Sequence, residues 1–241
     1  MKNHIIMFDL DGTLIDSVPD ICGALNRTLA KLGRRAHSVD EVASYLGSGA
    51  NLFMRKALEV TGSVPDEENI ADLANEFLDD YAKHPIIDTV VFPGVFAALN
   101  ALRNRGARLA LCTNKPSDMV ALVLRLLKLD TYFKVIVCGD HVENKKPHGD
   151  HIRDTIHRAG GNAATPAIMI GDNVNDFSAA IDAGVPSIAV TFGYAQCAPE
   201  ALGANALIDH FDDLVSTIET IMAAQPAASV YSEYIREYES D

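Results

Sequence analysis

Five short, largely apolar runs constrain the fold of this chain more than any other feature. They span residues 4–8, 108–112, 135–138, 167–170 and 187–190. Continuous apolar runs of this length are typical of strands buried on both faces of a parallel sheet. The segments that precede the later runs carry apolar residues at helical spacing, such as Ala97, Leu99 and Leu102. The alternation of strand and helix predicts a doubly wound, Rossmann-like α/β sheet with right-handed crossovers.

Residues 17–92 interrupt this alternation. They contain helical patterns, including Leu73, Phe77 and Tyr81, and no convincing strand. We therefore expect an α-helical insertion at 17–92 between two parts of one α/β core, residues 1–16 and 93–224. Residues 225–241 form a C-terminal tail in this division. Its tyrosines at helical spacing (Tyr231, Tyr234 and Tyr238) fit an amphipathic helix, and disorder is the alternative.

Charge and composition narrow the possible partners and the compartment. The chain has 33 acidic and 20 basic residues, a formal net charge of −13. Such a charge repels nucleic acid and anionic membrane surfaces, so we expect neither as a partner, whereas it suits a divalent cation. The four cysteines form no CxxC pair, which is typical of reduced packing residues, and no signal peptide or membrane span is evident. We expect a cytoplasmic protein, as a monomer or a homodimer.

Polar clusters follow three of the predicted strands. They are Asp9 with Asp11, Thr113 with Asn114, and the stretch 172–176. Ligands of open α/β sheets gather at the carboxyl ends of the strands, so we expect the three clusters to meet in one site. The pair of aspartates by itself would fit an Asx turn equally well.

The order of these clusters resembles a known superfamily. DxDGT at 9–13, Thr113 after an apolar run, KKP at 145–147 and GDNVND at 171–176 follow the order of the four motifs of the haloacid dehalogenase superfamily. The helical insertion after the first motif is similar to the small cap of its phosphoglycolate phosphatase-like group. Four further segments are similar to the same group, namely DSVPDI, YLGSGANLFMRKAL, CTNKP and VTFGYA. The resemblance covers almost the whole chain.

The resemblance implies a reaction and a metal. The family reaction is magnesium-dependent hydrolysis of 2-phosphoglycolate, a small phosphorylated metabolite, through an aspartyl phosphate. An ionised aspartate that attacks phosphate meets Coulomb repulsion, which bound Mg²⁺ would offset. The family pattern makes Asp9 the nucleophile and a metal ligand. Asp11 would give its backbone carbonyl to the metal and use its side chain as general acid and base, and Asp172 would complete the metal shell.

The resemblance also implies the groups that hold the phosphate. Thr113 would donate its hydroxyl to a phosphoryl oxygen, and backbone N–H groups near Gly12 and Asn114 would add donors. Lys146 would supply positive charge, and it is favoured over Lys145 because a proline follows it, as in the family motif. Asp176, one helical turn after Asp172, is expected to orient Asp172, Lys146 or a bound water.

The residues leave the substrate and the exact activity more open. Val90 and Gly149 stand where relatives often have a basic residue and a proline, and Asn51, Arg55 and Lys56 are the remaining candidates on the insertion for binding a substrate carboxylate. A phosphatase or phosphomutase that acts on a sugar phosphate or pyrophosphate is the alternative. A dehalogenase would not need Asp11. A phospho-accepting signalling module is the alternative outside enzymes. His148 and His151 lack a third zinc ligand nearby, so we do not expect a zinc site.

Overall fold

A six-stranded parallel sheet forms the centre of the computed structural model, which describes residues 1–195 and 198–224. The strands of the chain are β1 (Ile5–Phe8), β2 (Ile15–Asp16), β3 (Val90–Val91), β4 (Arg108–Cys112), β5 (Val135–Val137), β6 (Ala167–Gly171), β7 (Ser187–Val190) and β8 (Ala206–Ile208). Their order in the large sheet is β5-β4-β1-β6-β7-β8. The predicted doubly wound parallel sheet is confirmed, and the five apolar runs coincide with five of its strands. The edge strand β8 was not predicted.

Some of the helices cover both faces of this sheet, and the others form the insertion. The helices are α1 (Val18–Lys31), α2 (Val39–Ala43), α3 (Ala50–Thr61), α4 (Glu67–Lys83), α5 (Val95–Asn104), α6 (Ser117–Leu126), α7 (Asp150–Arg158), α8 (Val174–Ala183) and α9 (Leu214–Ala224). Two 3₁₀ turns, Pro199–Leu202 and Phe211–Asp213, lie in the C-terminal part.

The central strand β1 shows why the runs are apolar without interruption. Ile6 and Phe8 are wholly buried in a cluster with residues of α5, α6 and α9. Ile5 and Met7 are wholly buried in another cluster, with residues of α7 and α8 on the opposite face. Because successive side chains of a strand point to opposite faces, a strand covered on both sides must be apolar at every position.

The helices α1 to α4 lie between the two-residue strands β2 and β3, which pair antiparallel. Their buried residues form a cluster of their own, which includes Leu25, Phe53 and Phe77, and Met119 of the core helix α6 joins it. The expectation that the insertion holds no strand was wrong, since Val90 and Val91 form β3. A two-residue strand is too short to show a period in the sequence. The division into 1–16 with 93–224, 17–92 and 225–241 stays a prediction.

Three further expectations concern cysteines, membranes and the tail. Cys22, Cys112 and Cys138 are free and buried, in agreement with a packing role. None of the helices in residues 1–195 and 198–224 has the length and apolar character that crossing a bilayer requires. Cys197 and the tyrosines of the tail lie outside the described residues.

Candidate active site

Three strands bring the predicted residues to one edge of the sheet. Asp9, Thr113 and Asp172 each follow the last residue of a strand, namely β1, β4 and β6. Because β1 lies between β4 and β6 with all three parallel, their carboxyl ends are adjacent. All three side chains are buried and line one cleft.

A cluster of three carboxylates lies at the bottom of this cleft. Oxygens of Asp9, Asp172 and Asp176 lie within 4.8 Å of one another, and all three residues are buried. Burial, together with the charges of Asp176 and Asp9, raises the pKa of Asp172 well above its usual range. Burial also raises the pKa of Asp176, to about 6, with the nearby charge of Asp9 adding to the effect. The cluster therefore needs positive charge before all three groups can ionise.

The donor set fits a hard divalent cation. Carboxylate oxygens are the ligands that Mg²⁺ and Ca²⁺ prefer. The oxygen Oδ1 of Asp9 is buried and accepts no hydrogen bond, although the ammonium of Lys146 lies 3.0 Å away, so it keeps lone pairs for a cation. Among residues 1–195 and 198–224, the other group with metal-ligand spacing is Cys138, Asp140 and His141. Neither group includes His148 or His151.

Asp172 is held rigidly by its neighbours. Its Oδ1 accepts a hydrogen bond from the hydroxyl of Thr13 at 2.9 Å, and its Oδ2 accepts one from the backbone N–H of Tyr194 at 2.8 Å. Gly12 has a φ of +83°, and a Cβ at this position would overlap the Asp172 carboxylate. Position 12 therefore needs glycine both for its backbone conformation and for the space that Asp172 occupies.

Lys146 contacts two of the three clustered carboxylates, those of Asp9 and Asp176. Its ammonium donates hydrogen bonds to Oδ1 of Asp176 at 2.6 Å and to the carbonyl of Cys112 at 2.7 Å. It also lies 3.0 Å from Oδ1 of Asp9, as an ion pair without hydrogen-bond geometry. Burial would lower the pKa of Lys146, but the charges of Asp176 and Asp9 outweigh burial and raise it. Lys145 lies instead against Gly49, outside the cleft lining.

Asp176 also shapes the start of α8. Its Oδ2 accepts a hydrogen bond from the backbone N–H of Asn173 at 3.0 Å, and the Asn173 side chain caps the helix in return. Both oxygens of Asp176 are thus occupied by Lys146 and Asn173, as expected of a residue that orients its neighbours.

Asp11 points away from the three clustered carboxylates and into a different contact. Its two oxygens lie 2.9 and 3.0 Å from the ammonium of Lys115, and Oδ1 also accepts a hydrogen bond from the hydroxyl of Ser17 at 2.6 Å. Lys115 in turn donates to the hydroxyl of Tyr81 at 3.2 Å. Tyr81 belongs to α4, so this contact links the core to the helical insertion.

The cleft lies between the core and the insertion. Its volume is about 80 Å³, room for roughly five to eight water-sized groups. Most of its wall on the insertion side is apolar and includes Leu46, Phe53, Phe77 and Leu78. The loop before α3 is tied to the core because the side-chain amides of Asn114 and Asn175 donate to the carbonyl of Gly47 at 2.8 and 3.0 Å. A small ligand here would contact both the core and the insertion.

The chain is similar in sequence to known proteins. The family model of the haloacid dehalogenase-like hydrolases matches residues 6–190. The chain belongs to this family. It is 36% identical over 227 residues to the phosphoglycolate phosphatase of Caulobacter vibrioides, which covers 94% of this chain and 95% of the relative. It is 39% identical over 218 residues to phosphoglycolate phosphatase 1 of Pseudomonas aeruginosa, with coverage of 88% and 78%.

Solved structures of the haloacid dehalogenase-like hydrolases have the same architecture. A predicted phosphoglycolate phosphatase from Haemophilus somnus superposes with a TM-score of 0.83 at 26% identity, over 88% of this chain and 96% of that one. CbbY from Rhodobacter sphaeroides, in complex with phosphate, superposes with a TM-score of 0.76 at 26% identity, over 89% and 96%.

Two sets of groups that the sequence suggested for ligand binding have other contacts or positions in the structure. The N–H of Gly12 is not free for a phosphate, since it donates to the carbonyl of Ile15 at 2.9 Å within a turn. Asn51, Arg55 and Lys56 do not line the cleft, and Arg55 forms an ion pair with Glu67 on α4. The face of α3 that reaches the cleft carries Ala50 and Phe53 instead.

The sequence motifs gave no functional role to several residues of the site. They are Thr13, Ser17, Tyr81, Lys115 and Tyr194. Thr13 and Lys115 each lie within two residues of a predicted site residue, which is a signal that could have found them. Tyr81 lies far from every motif, and Tyr194 lies in the segment VTFGYA, to which no site role was given. Only the packing of the elements brings both tyrosines to the site.

Proposed function

We propose that this hydrolase is a magnesium-dependent phosphatase that converts 2-phosphoglycolate to glycolate and phosphate through an aspartyl phosphate on Asp9. The observation that carries the proposal is the buried meeting of Asp9 with Lys146, Asp172 and Asp176 beside Thr113. The substrate assignment rests on relatives at 36 to 39% identity that carry the name phosphoglycolate phosphatase.

In this proposal Asp9, Asp172 and the backbone carbonyl of Asp11 hold the metal. When bound, Mg²⁺ supplies positive charge that offsets the repulsion between the nucleophile and the phosphate. Asp172 is fixed for this role by Thr13 and Tyr194. Asp176 orients Lys146.

The first chemical step uses Asp9 and Asp11. A carboxylate oxygen of Asp9 attacks phosphorus, and the bond between phosphorus and the ester oxygen breaks. The glycolate oxygen takes a proton from the carboxyl group of Asp11. Lys146, the hydroxyl of Thr113 and the backbone near Asn114 hold the phosphoryl oxygens.

The second step returns Asp9 to its starting state. The Asp11 carboxylate removes a proton from water, and the resulting oxygen attacks phosphorus while the bond to Asp9 breaks. The side chain of Asp11 accepts hydrogen bonds from Ser17 and Lys115, which hold it at the cleft. The apolar wall of the insertion would limit bulk water around the intermediate.

A second candidate substrate class has an observation in its favour. CbbY from Rhodobacter sphaeroides has also been solved in complex with xylulose-(1,5)bisphosphate, and that structure superposes with a TM-score of 0.74 at 26% identity. A phosphatase or phosphomutase that acts on a sugar phosphate or pyrophosphate is therefore the alternative. The relatives that carry the name phosphoglycolate phosphatase, at 36 to 39% identity, favour the smaller substrate. A phospho-accepting signalling module would not need this cleft.

Phosphate release from a panel of esters tests the proposal. We expect 2-phosphoglycolate to have a higher kcat/KM than sugar phosphates or pyrophosphate, with activity lost on chelation of the metal. Asp9→Asn should lower kcat at least ~1,000-fold with the fold intact, because it removes the nucleophile. Asp182→Asn, on the surface, is the control. Near wild-type activity of Asp9→Asn would contradict the assignment, and a phosphoprotein that persists for minutes without turnover would favour the signalling module.

A further inference from the structure

Lys115 is a buried cation that the proposed reaction does not use. Among the described residues that line the cleft, the positively charged side chains are Lys115 and Lys146. Lys146 is assigned to the phosphoryl oxygens in the proposed reaction, and its ammonium contacts Asp176, Asp9 and the carbonyl of Cys112. Lys115 lies on the other side of the cleft, between Asp11 and Tyr81, with its ammonium 4.8 Å from the centre of the Tyr81 ring.

The short distance between the ester oxygen and the carboxylate of 2-phosphoglycolate connects Asp11 with Lys115. If Asp11 protonates the ester oxygen, the part of the substrate beyond that oxygen lies next to Asp11. In 2-phosphoglycolate the carboxylate carbon is only two bonds from the ester oxygen. The cation that touches both oxygens of Asp11, at 2.9 and 3.0 Å, is therefore within reach of that carboxylate.

The rest of the cleft has few groups that could bind the carboxylate of the substrate. On the insertion side the wall consists mainly of apolar side chains such as Leu46, Phe53 and Phe77. Burial of an unpaired carboxylate against such a wall is strongly unfavourable, so the site needs a cation there. The candidates on α3 that the sequence suggested do not reach the cleft.

We propose that Lys115 binds the carboxylate of the substrate and so sets the preference for phosphate esters that carry a second negative charge close to the ester oxygen. This inference rests on the proposed function. An ammonium has three N–H donors, which here point to the two oxygens of Asp11 and to Tyr81. A substrate carboxylate can replace one of these acceptors while Lys115 keeps its contact with Asp11. Because Tyr81 belongs to α4, the same side chain connects substrate recognition with the position of the insertion.

A substrate pair that differs only in charge tests the proposal. The pair is 2-phosphoglycolate and 2-phosphoglycolamide, in which an uncharged carboxamide of similar size replaces the carboxylate. We expect the wild-type protein to prefer the carboxylate in kcat/KM and Lys115→Met to reduce that preference by ~10-fold or more. Any disturbance of Asp11 should lower kcat/KM for both esters to a similar extent, so its effect cancels in the ratio of the two values. Lys115→Arg should retain much of the preference, since the charge remains.

Lys145→Met is the matched control, because Lys145 is a nearby lysine outside the cleft lining. We expect this variant to leave the preference unchanged. The proposal is overturned if Lys115→Met keeps the wild-type preference, or if Lys145→Met lowers it as much. If Lys115→Met does not fold, the wild-type protein still decides, since equal rates on the two esters overturn the proposal. That result would leave the phosphatase activity intact, whereas release of phosphate from neither ester would contradict the proposed function itself.

Discussion

Oδ1 of Asp176 lies 2.6 Å from the ammonium of Lys146, and the two side chains are only 1% and 2% exposed. Lys146 lies in the loop before α7 and Asp176 lies in the first turn of α8, 30 positions further along the chain. Burial of one of these charges without the other would be costly. The pair therefore explains how a fixed cation can lie beside Asp9 within the core.

Removal of the Asp176 charge should destabilise the protein and impair the site. We expect Asp176→Asn to lower the free energy of unfolding by roughly 3 kcal/mol, because Lys146 would keep its buried charge with less compensation. Phosphate release should fall as well. Asp150→Asn is the matched control, since Asp150 pairs with Arg153 on the surface. Denaturant unfolding would measure both variants, and equal stability of the two would contradict this interpretation.

Alanine substitutions at Gly12 and Gly184 would distinguish the effect of backbone strain from the effect of contact with the site. Both have positive φ, +83° and +67°, but a Cβ at Gly184 would meet no atom within 4 Å, whereas one at Gly12 would overlap Asp172. We expect alanine to cost ~1 kcal/mol of stability at Gly184 and more than that at Gly12, where overlap adds to the backbone strain. Only Gly12→Ala should also lower phosphate release, by at least ~10-fold. Thermal unfolding and kinetics would measure the two effects, and full activity of Gly12→Ala would refute the close contact.

Metal binding should stabilise the protein in a pH-dependent manner. The pKa values of Asp172 and Asp176 are raised in the folded state, that of Asp176 to about 6, by burial and neighbouring carboxylates. Without metal, the stability that protonated Asp172 contributes is complete below pH 3.8 and is lost as the pH rises through its raised pKa. Mg²⁺ binds the ionised carboxylates, so the increase in Tm that it causes should grow from about pH 5 to pH 7.5.

Variants in the two candidate metal groups would test this. Asp172→Asn should abolish the increase in Tm caused by Mg²⁺, and Asp140→Asn should preserve it, because Asp140 belongs to the other group. A shift that depends on Asp140 and not on Asp172 would place the metal elsewhere.

His151 should make the protein sensitive to acid. Burial lowers its pKa to about 4, and its ring contacts the backbone N–H of Lys146 and the carbonyl of Val137. The stabilising effect of the neutral ring is present above pH 6.5 and is lost as the pH falls through about 4. We expect this loss to reach about 3 kcal/mol.

A pair of histidine variants isolates this effect. His151→Gln should flatten the dependence of unfolding free energy on pH between about 6.5 and 4, and the exposed His148→Gln should not. Identical pH profiles for His151→Gln and the wild-type protein would show that another group is responsible.

The local patterns of the sequence account for much of the fold. Runs such as 108–112 and 187–190 coincide residue for residue with β4 and β7, because a strand covered on both faces must be apolar throughout. Strands β2, β3 and β8 have only two or three residues, which leaves no period to read. The spacing of Leu122, Leu126 and Leu129 fits one helix, but α6 ends at Leu126 and Leu129 packs from the following turn.

The sequence by itself determined which residues follow the strand ends, and the direction of a parallel sheet then placed Asp9, Thr113 and Asp172 together. It also favoured Lys146 over its neighbour through the proline that follows. Only the tertiary structure decided that Lys115 pairs with Asp11, which is 104 positions away, and that Tyr81 of the insertion meets it. The physical reason is that burial within one strand or helix leaves a period in the sequence, whereas a contact between two elements depends on how they pack and leaves none.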